Sequence, residues 1–284
     1  MRITRALLRE RGLLPHKSAA QYLLTDESVA DGIVRSLDIR PDDRILEIGA
    51  GCGALTGLIL EVIERVGGER TSLTSVEIDE RYVRFLKDTF GGNSRFTVLQ
   101  QDALRLPICA LFDRAGSIKV VGNIPYYIAS PILRLLFDNH PCISDIAIML
   151  QKEVGMRVVS APGDAYFGLL SVMRMLHYDA SVVRHVDRSL FLPVPKVDST
   201  VIKMHIHAPL ISPEDERVLL GILKRAFGAR RKMLKNTLKA VGTIPEIGRW
   251  CAHAGIDMSD RAENIDLGRW ILFLDAYKSD HPMR

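Results

Sequence analysis

Residues 44–56 read RILEIGAGCGALT. A short aliphatic run closes on Gly49-Ala50-Gly51-Cys52-Gly53 and passes into TGLILEVIERV (56–66), where apolar residues recur at helical spacing. Such a run is a buried strand opening into a helix, the first half of an α/β unit. Glycines at that junction allow a tight turn and let a ligand approach the backbone. The spacing here is G-x-G-x-G, whereas the dinucleotide fingerprint is G-x-G-x-x-G, so the loop alone leaves the ligand class open.

Four more strands are predicted after it: SLTSVEID (72–79), RFTVLQQDAL (95–104), IKVVGNIPY (118–126) and DIAIMLQKEV (145–154), with RYVRFLKDTF (81–90) as a helix. Strands alternating with helices of this length predict βαβ units and a parallel sheet. After about residue 165 the texture changes. HYDASVVRHVDRSLF and VDSTVIKMHIH predict further strands, joined by the proline-spaced FLPVPKVDS, and from Ser212 the pattern is helical with breaks at Gly242, Pro245 and Gly255. The expected division is an α/β domain over 1–207 and a small, basic helical domain over 208–284.

A chain of 284 residues with 47% hydrophobic residues can bury a substantial core without staples. No stretch approaches the roughly 18 apolar residues of a membrane span. The N-terminal MRITRALLRERGLLPHK is basic and lacks a signal peptide's apolar region, so a cytoplasmic location is expected. Its arginines also suit an organellar transit peptide, against which Glu10 argues; a solvated basic arm or an extra helix is the preferred reading. Cys52, Cys109, Cys142 and Cys251 are scattered with no CxxC pair, so reduced thiols are expected. His205 and His207 share a strand face but have no third ligand nearby, and no metal is expected. Net charge is only +4, yet KRAFGARRKMLKNTLK (224–239) holds seven Lys/Arg and no acid. A solvated helix face would mix signs. One-sided charge at this density points to nucleic acid, with Lys224, Arg225, Arg230, Arg231, Lys232 and Lys235 as the phosphate contacts.

Three strand ends carry suitable ligand groups in series. Glu77 lies 24 residues past Gly53 at the end of the second strand, where an acid can accept from both ribose hydroxyls. Asp102 ends the third, where a carboxylate can bond an adenine amine. The series predicts an adenosine-containing cofactor without a pyrophosphate, S-adenosylmethionine ahead of NAD, with Glu47 near its amino-acid portion. At the fourth strand end, Asn123-Ile124-Pro125-Tyr126 faces the acceptor. The Asn123 side-chain oxygen and the Ile124 carbonyl can accept the two N–H groups of an exocyclic amine and favour a pyramidal nitrogen. Pro125 fixes the carbonyl's direction. Tyr126 offers a stacking face worth ~1–3 kcal/mol to a base. The blander alternative is a strand–turn with a capping asparagine and a core tyrosine.

These motifs, with HKSAAQYLL (16–24), MLQKEV, FLPVPKVDS, AFGARRKMLKNTL and RAENIDL in the same order, resemble the ribosomal RNA adenine N6-dimethyltransferases, and within them the universal small-subunit branch. The resemblance covers nearly the whole chain. It implies a Rossmann-like methyltransferase fold, a mostly parallel sheet with an antiparallel edge plus a helical C-terminal domain. It places Tyr22, Leu24, Gly49, Gly51, Glu77, Asp102 and Asn123 on S-adenosylmethionine, and Phe191 against the flipped base opposite Tyr126. It further implies dimethylation of two adjacent adenosines in the 3′-terminal hairpin loop of small-subunit RNA, within the pre-small subunit, by a monomer. Tyr22 and Leu23 depart from the family's asparagine and phenylalanine, Ala50 and Cys52 from commoner loop residues, and Tyr127 from the usual asparagine. The rival readings are a macrolide-resistance methyltransferase of large-subunit RNA, a DNA adenine methyltransferase, and an assembly or transcription factor that keeps the fold without catalysis.

Overall fold

The computed structural model describes residues 4–15, 21–112, 118–229 and 232–281. The chain divides into two compact units, residues 1–155 with 180–206 and residues 156–179 with 207–284. The division is therefore discontinuous, where the sequence pattern suggested a single boundary near residue 207.

The first unit is built on a seven-stranded sheet of β1 (Arg44–Ile48), β2 (Ser72–Glu77), β3 (Phe96–Gln100), β4 (Ile118–Asn123), β5 (Ile143–Gln151), β6 (Tyr178–Val186) and β7 (Ser199–Ile206). Their order across the sheet is β3-β2-β1-β4-β5-β7-β6. The first five run parallel, and β7 lies antiparallel to β5. Helices Thr56–Val66, Glu80–Phe90 and Ala129–Asp138 follow β1, β2 and β4. Ile45, Leu46, Val120, Val121, Ile146 and Ile148 on the central strands are all buried. Strands covered on both faces read as continuous apolar runs, which is why RILEI and IAIML show no alternation.

Gly122 marks a point of close approach between neighbouring strands. Paired with Ile48, it sits so close to β1 that an added Cβ would lie 2.4 Å from the Ile48 carbonyl oxygen. The N-terminal segment expected as an arm or extra helix is a short helix, Arg5–Glu10, whose Leu8 is buried with Leu13, Leu23, Cys52 and Tyr82. Leu23–Leu24 then pairs antiparallel with Phe191–Leu192.

The expectation of four reduced thiols needs correction. Cys109 and Cys142 form a disulfide across 33 residues, with Cα atoms 5.6 Å apart, while Cys52 and Cys251 are free and buried. The two bonded cysteines flank adjacent parallel strands, β4 and β5, and topology brings together what sequence spacing kept apart. His205 bonds Asp145 at 2.8 Å, and His207 bonds the Met175 and Ala208 carbonyls.

The second unit packs helices Leu169–Met175, Pro213–Ala226, Ile244–His253 and Leu267–Asp280 around Trp250, Trp270 and Phe273. Pro245, expected as a break, stands in the first turn of its helix behind a Thr243–Glu246 capping box. Among the described residues no helix is long and apolar enough to cross a membrane.

Candidate active site

Parallel register aligns the carboxyl ends of the strands. Ile48 of β1 pairs with Val76 of β2 and Gly122 of β4, and Glu77 pairs with Gln100 of β3. Ligand groups spread over 75 residues of sequence thus reach one edge of the sheet, the edge at which open α/β folds bind ligands. A cavity of ≈ 250 Å³ opens there, lined by Tyr22, Leu24, Glu47, Gly49, Gly51, Glu77, Asp102, Asn123 and Tyr127, among others.

The glycine loop needs its glycines. Gly49, Gly51 and Gly53 hold φ of 74°, 54° and 83°, a region costly for side chains with a Cβ. The Gly51 N–H donates to Glu77 Oε2 at 2.8 Å, tying the loop to β2. Glu77 Oε1 accepts from the Ile78 and Asp79 N–H groups at 2.8 and 2.9 Å. A carboxylate oxygen has two acceptor sites, so Oε2 keeps one for a hydroxyl. Burial raises the Glu77 pKa, and these three N–H groups oppose the rise. Asp102 accepts from the Leu104 N–H at 3.0 Å through Oδ1, while Oδ2 stands 3.9 Å from Arg105 Nε, an ion pair beyond hydrogen-bond reach on a part-exposed side chain.

Glu47 is 1% exposed. Its Oε2 accepts from Ser75 and Thr56 hydroxyls at 2.5 and 2.7 Å, yet burial pushes the carboxyl up to about 7. A carboxyl so placed favours a cation beside it.

Asn123 donates through Nδ2 to the Tyr22 carbonyl at 2.9 Å. A carbonyl can only accept, so this bond settles which end of the carboxamide faces it and leaves Oδ1 free as an acceptor. Because the partner is a backbone oxygen, tyrosine in place of asparagine at position 22 leaves the bond intact. Tyr126 bonds Ser199 Oγ at 2.8 Å through its hydroxyl, and burial raises its pKa. The Tyr22 ring stacks on it, centroids 5.2 Å apart and planes 29° from parallel.

Phe191 is placed differently from the sequence expectation. It is 3% exposed, pairs with Leu24 and belongs to the core, outside the cavity lining. Of the basic cluster, Lys224 and Arg225 end the helix Pro213–Ala226 and are exposed, as are Lys232 and Lys235. Arg230 and Arg231 lie outside the described residues. Two contributors escaped the sequence reading: Ser199, which anchors Tyr126, and Ile78, 60% exposed in the cavity wall. An isoleucine between acids in VEID was the available signal for the second; nothing local marked Ser199.

The ribosomal RNA adenine dimethylase family profile matches residues 13–278. The chain belongs to that family. It is an rRNA methyltransferase with the fold of the S-adenosylmethionine-dependent methyltransferases. Ribosomal RNA small subunit methyltransferase A of Pseudomonas fluorescens is 40% identical over 94% of each chain. The Clostridium acetobutylicum protein of the same name is 33% identical over 93% of this chain and 94% of its own. A dimethyladenosine transferase from Plasmodium falciparum shares the fold at TM-score 0.73 and 24% identity, covering 91% of this chain and 98% of that one. The 23S rRNA methyltransferase ErmE does so at 0.70 and 24%, covering 90% and 99%.

For a dimethylase that uses S-adenosylmethionine the cleft is chemically suited. The Gly49–Gly51 turn lines the cavity with left-handed glycine backbone, Glu77 and Asp102 supply acceptors, and Glu47 supplies a buried carboxyl at the loop.

Proposed function

We propose that the chain transfers methyl groups from S-adenosylmethionine to N6 of two adjacent adenosines in the 3′-terminal hairpin loop of small-subunit (16S) ribosomal RNA. It acts in the cytoplasm as a monomer on the pre-small subunit, late in assembly. The observation that carries the chemistry is the Asn123 carboxamide, held by the Tyr22 carbonyl with its oxygen unengaged among the described residues. The names of the small-subunit relatives support the substrate.

The bound cofactor supplies an electrophilic methyl on a sulfonium. Glu77 would take a ribose hydroxyl, Asp102 the adenine amine, Gly49 and Gly51 the close backbone approach, and Glu47 the ammonium. Tyr22 and Leu24 close the near wall. An adenine amine is a poor nucleophile because its lone pair is delocalised into the ring. Accepting its N–H groups at Asn123 Oδ1 and the Ile124 carbonyl localises that pair, so catalysis is positioning and electrostatics. Tyr126, anchored on Ser199, gives the extruded base a stacking face, and loop adenines leave their stack more cheaply than duplex ones. Phe191 supports this wall from the core through Leu24.

The test offers labelled S-adenosylmethionine to small subunits lacking the modification, to protein-free large-subunit RNA and to duplex DNA. Label recovered as N6,N6-dimethyladenosine from small subunits alone is the expected result. Label in large-subunit RNA would move the substrate to the resistance type, and no label with cofactor bound would leave a binding factor.

Glu47 makes cofactor binding pH-dependent. Its raised pKa means that the folded protein without cofactor holds a proton that unfolded chain releases near 4.5. This contribution to stability is fully present below that value and is lost as pH rises through about 7. An ammonium ligand favours the carboxylate, so cofactor affinity should rise by up to about tenfold per pH unit below 7 and level off above it. Calorimetry in buffers of different ionisation enthalpy should show proton release at pH 6, absent in Glu47→Gln.

Lys224 and Arg225 should account for part of the salt dependence of RNA binding. Replacing both with alanine should flatten the log K against log salt slope by about 1.4–1.8, as expected for two lost phosphate contacts. An unchanged slope would take these residues off the RNA.

A further inference from the structure

Tyr22 belongs to two surfaces at once. It lines the cofactor cavity, and its ring stacks on Tyr126, which is not among the lining residues. The ring therefore covers one face of Tyr126, the residue that the proposed reaction assigns to the target adenine. The two rings are held differently. Tyr126 is pinned through its hydroxyl to Ser199, a fully buried residue of β7. Tyr22 is fixed at its carbonyl by Asn123 Nδ2, whereas its hydroxyl carries no hydrogen bond among the described residues. Its backbone is tied and its side chain is retained by stacking and partial burial. Rotation about the side-chain torsions moves the ring off Tyr126 while leaving the Asn123–Tyr22 bond in place, at the cost of the stacking it gives up.

We propose that the Tyr22 ring is a gate on the target side of the site, covering Tyr126 until an unstacked adenine takes its place. The inference rests on the function proposed above. An adenine and the Tyr22 ring compete for one face, so the enzyme's own ring lowers the apparent affinity for RNA. Tyr22 is thus a positioning residue: it orients Asn123 through its backbone and sets the cost of base entry through its ring.

The experiment is a single-turnover titration of small subunits lacking the modification, with the parent, Tyr22→Ala and Tyr22→Phe. Tyr22→Ala should lower the half-saturating subunit concentration about two- to tenfold, the factor an aromatic pair of this kind is worth. Tyr22→Phe, which keeps the ring, should need a higher subunit concentration for half-saturation than Tyr22→Ala. Cofactor affinity, measured separately by calorimetry, reports whether Tyr22→Ala has kept its cavity. In case that variant folds poorly, 3-fluorotyrosine at position 22 of the otherwise unaltered chain provides a second readout. Its fluorine resonance should shift when subunits are added. A parent that methylates subunits while Tyr22→Ala binds them equally or more weakly, or while the fluorine resonance stays put, overturns the gate and leaves the proposed function standing. A parent that methylates no RNA overturns both.

Discussion

Asn123→Ala should lower the rate of methyl transfer by about 10²–10³-fold, the range seen when one preorganised hydrogen-bonding group is removed from the reacting centre. The loss should fall on the chemical step. Asn123 closes β4 opposite Met149, a position alanine can hold, and the cavity retains Glu47, Glu77 and Asp102 for the cofactor. Cofactor affinity measured by calorimetry should therefore fall far less than turnover, since Asn123 is one cofactor contact among several. Asn123→Asp sharpens the point. Aspartate keeps an acceptor at Oδ1 but places a second carboxylate oxygen against the Tyr22 carbonyl, where the amide Nδ2 now donates at 2.9 Å. Two acceptors repel, so the side chain should turn away and activity should fall nearly as far as in Asn123→Ala. An active Asn123→Asp enzyme at neutral pH would show that any acceptor suffices and that the Tyr22 bond does not orient the group.

Gly122→Ala should cost about 3 kcal/mol, the upper part of the range for forcing atoms into a packed core. The added Cβ would lie 2.4 Å from the Ile48 carbonyl oxygen, backbone that is hydrogen-bonded in the centre of a parallel sheet and has nowhere to move. For a domain of this size that corresponds to a melting temperature lower by roughly 6–12 °C. Gly92→Ala is the matched control, because nothing lies within 4 Å of its added Cβ. The displacement also falls one residue before Asn123, so Gly122→Ala should lose more activity at low temperature than its folded fraction accounts for. Thermal unfolding of both variants, beside turnover at a temperature where each is folded, separates the two effects. Equal melting temperatures would mean that β1 and β4 can separate at this point.

Both predictions concern the end of β4, and they show where local sequence stops being informative. GNIPY could be placed at a strand end from the apolar run before it and the proline within it. The acids of VEID and QDAL could be placed the same way. Strand periodicity and turn chemistry act over a few residues, so these positions, the parallel sheet and the helix over 56–66 were legible in the chain itself. The cofactor class followed, because a glycine turn and two acids at successive strand ends define a chemistry before any coordinates are known.

What remained hidden was every feature that depends on two distant segments meeting. Cys109 and Cys142 have no sequence signature of pairing and meet because β4 and β5 are neighbours. By resemblance Phe191 would pack against the flipped base, with a core aromatic at a strand end as the alternative; pairing with Leu24 buries it in the core. Residues 156–179 lie between strands of the first unit in sequence but pack with the helices of the second. The orientation of the Asn123 amide depends on a carbonyl 101 residues away, and the ring covering Tyr126 comes from the same residue. Sequence alone placed Glu77, Asp102 and Asn123 at strand ends, since side-chain chemistry and strand ends are local properties. Tertiary structure decided which way those groups point and which surfaces are already occupied, because long-range packing and hydrogen bonding settle both.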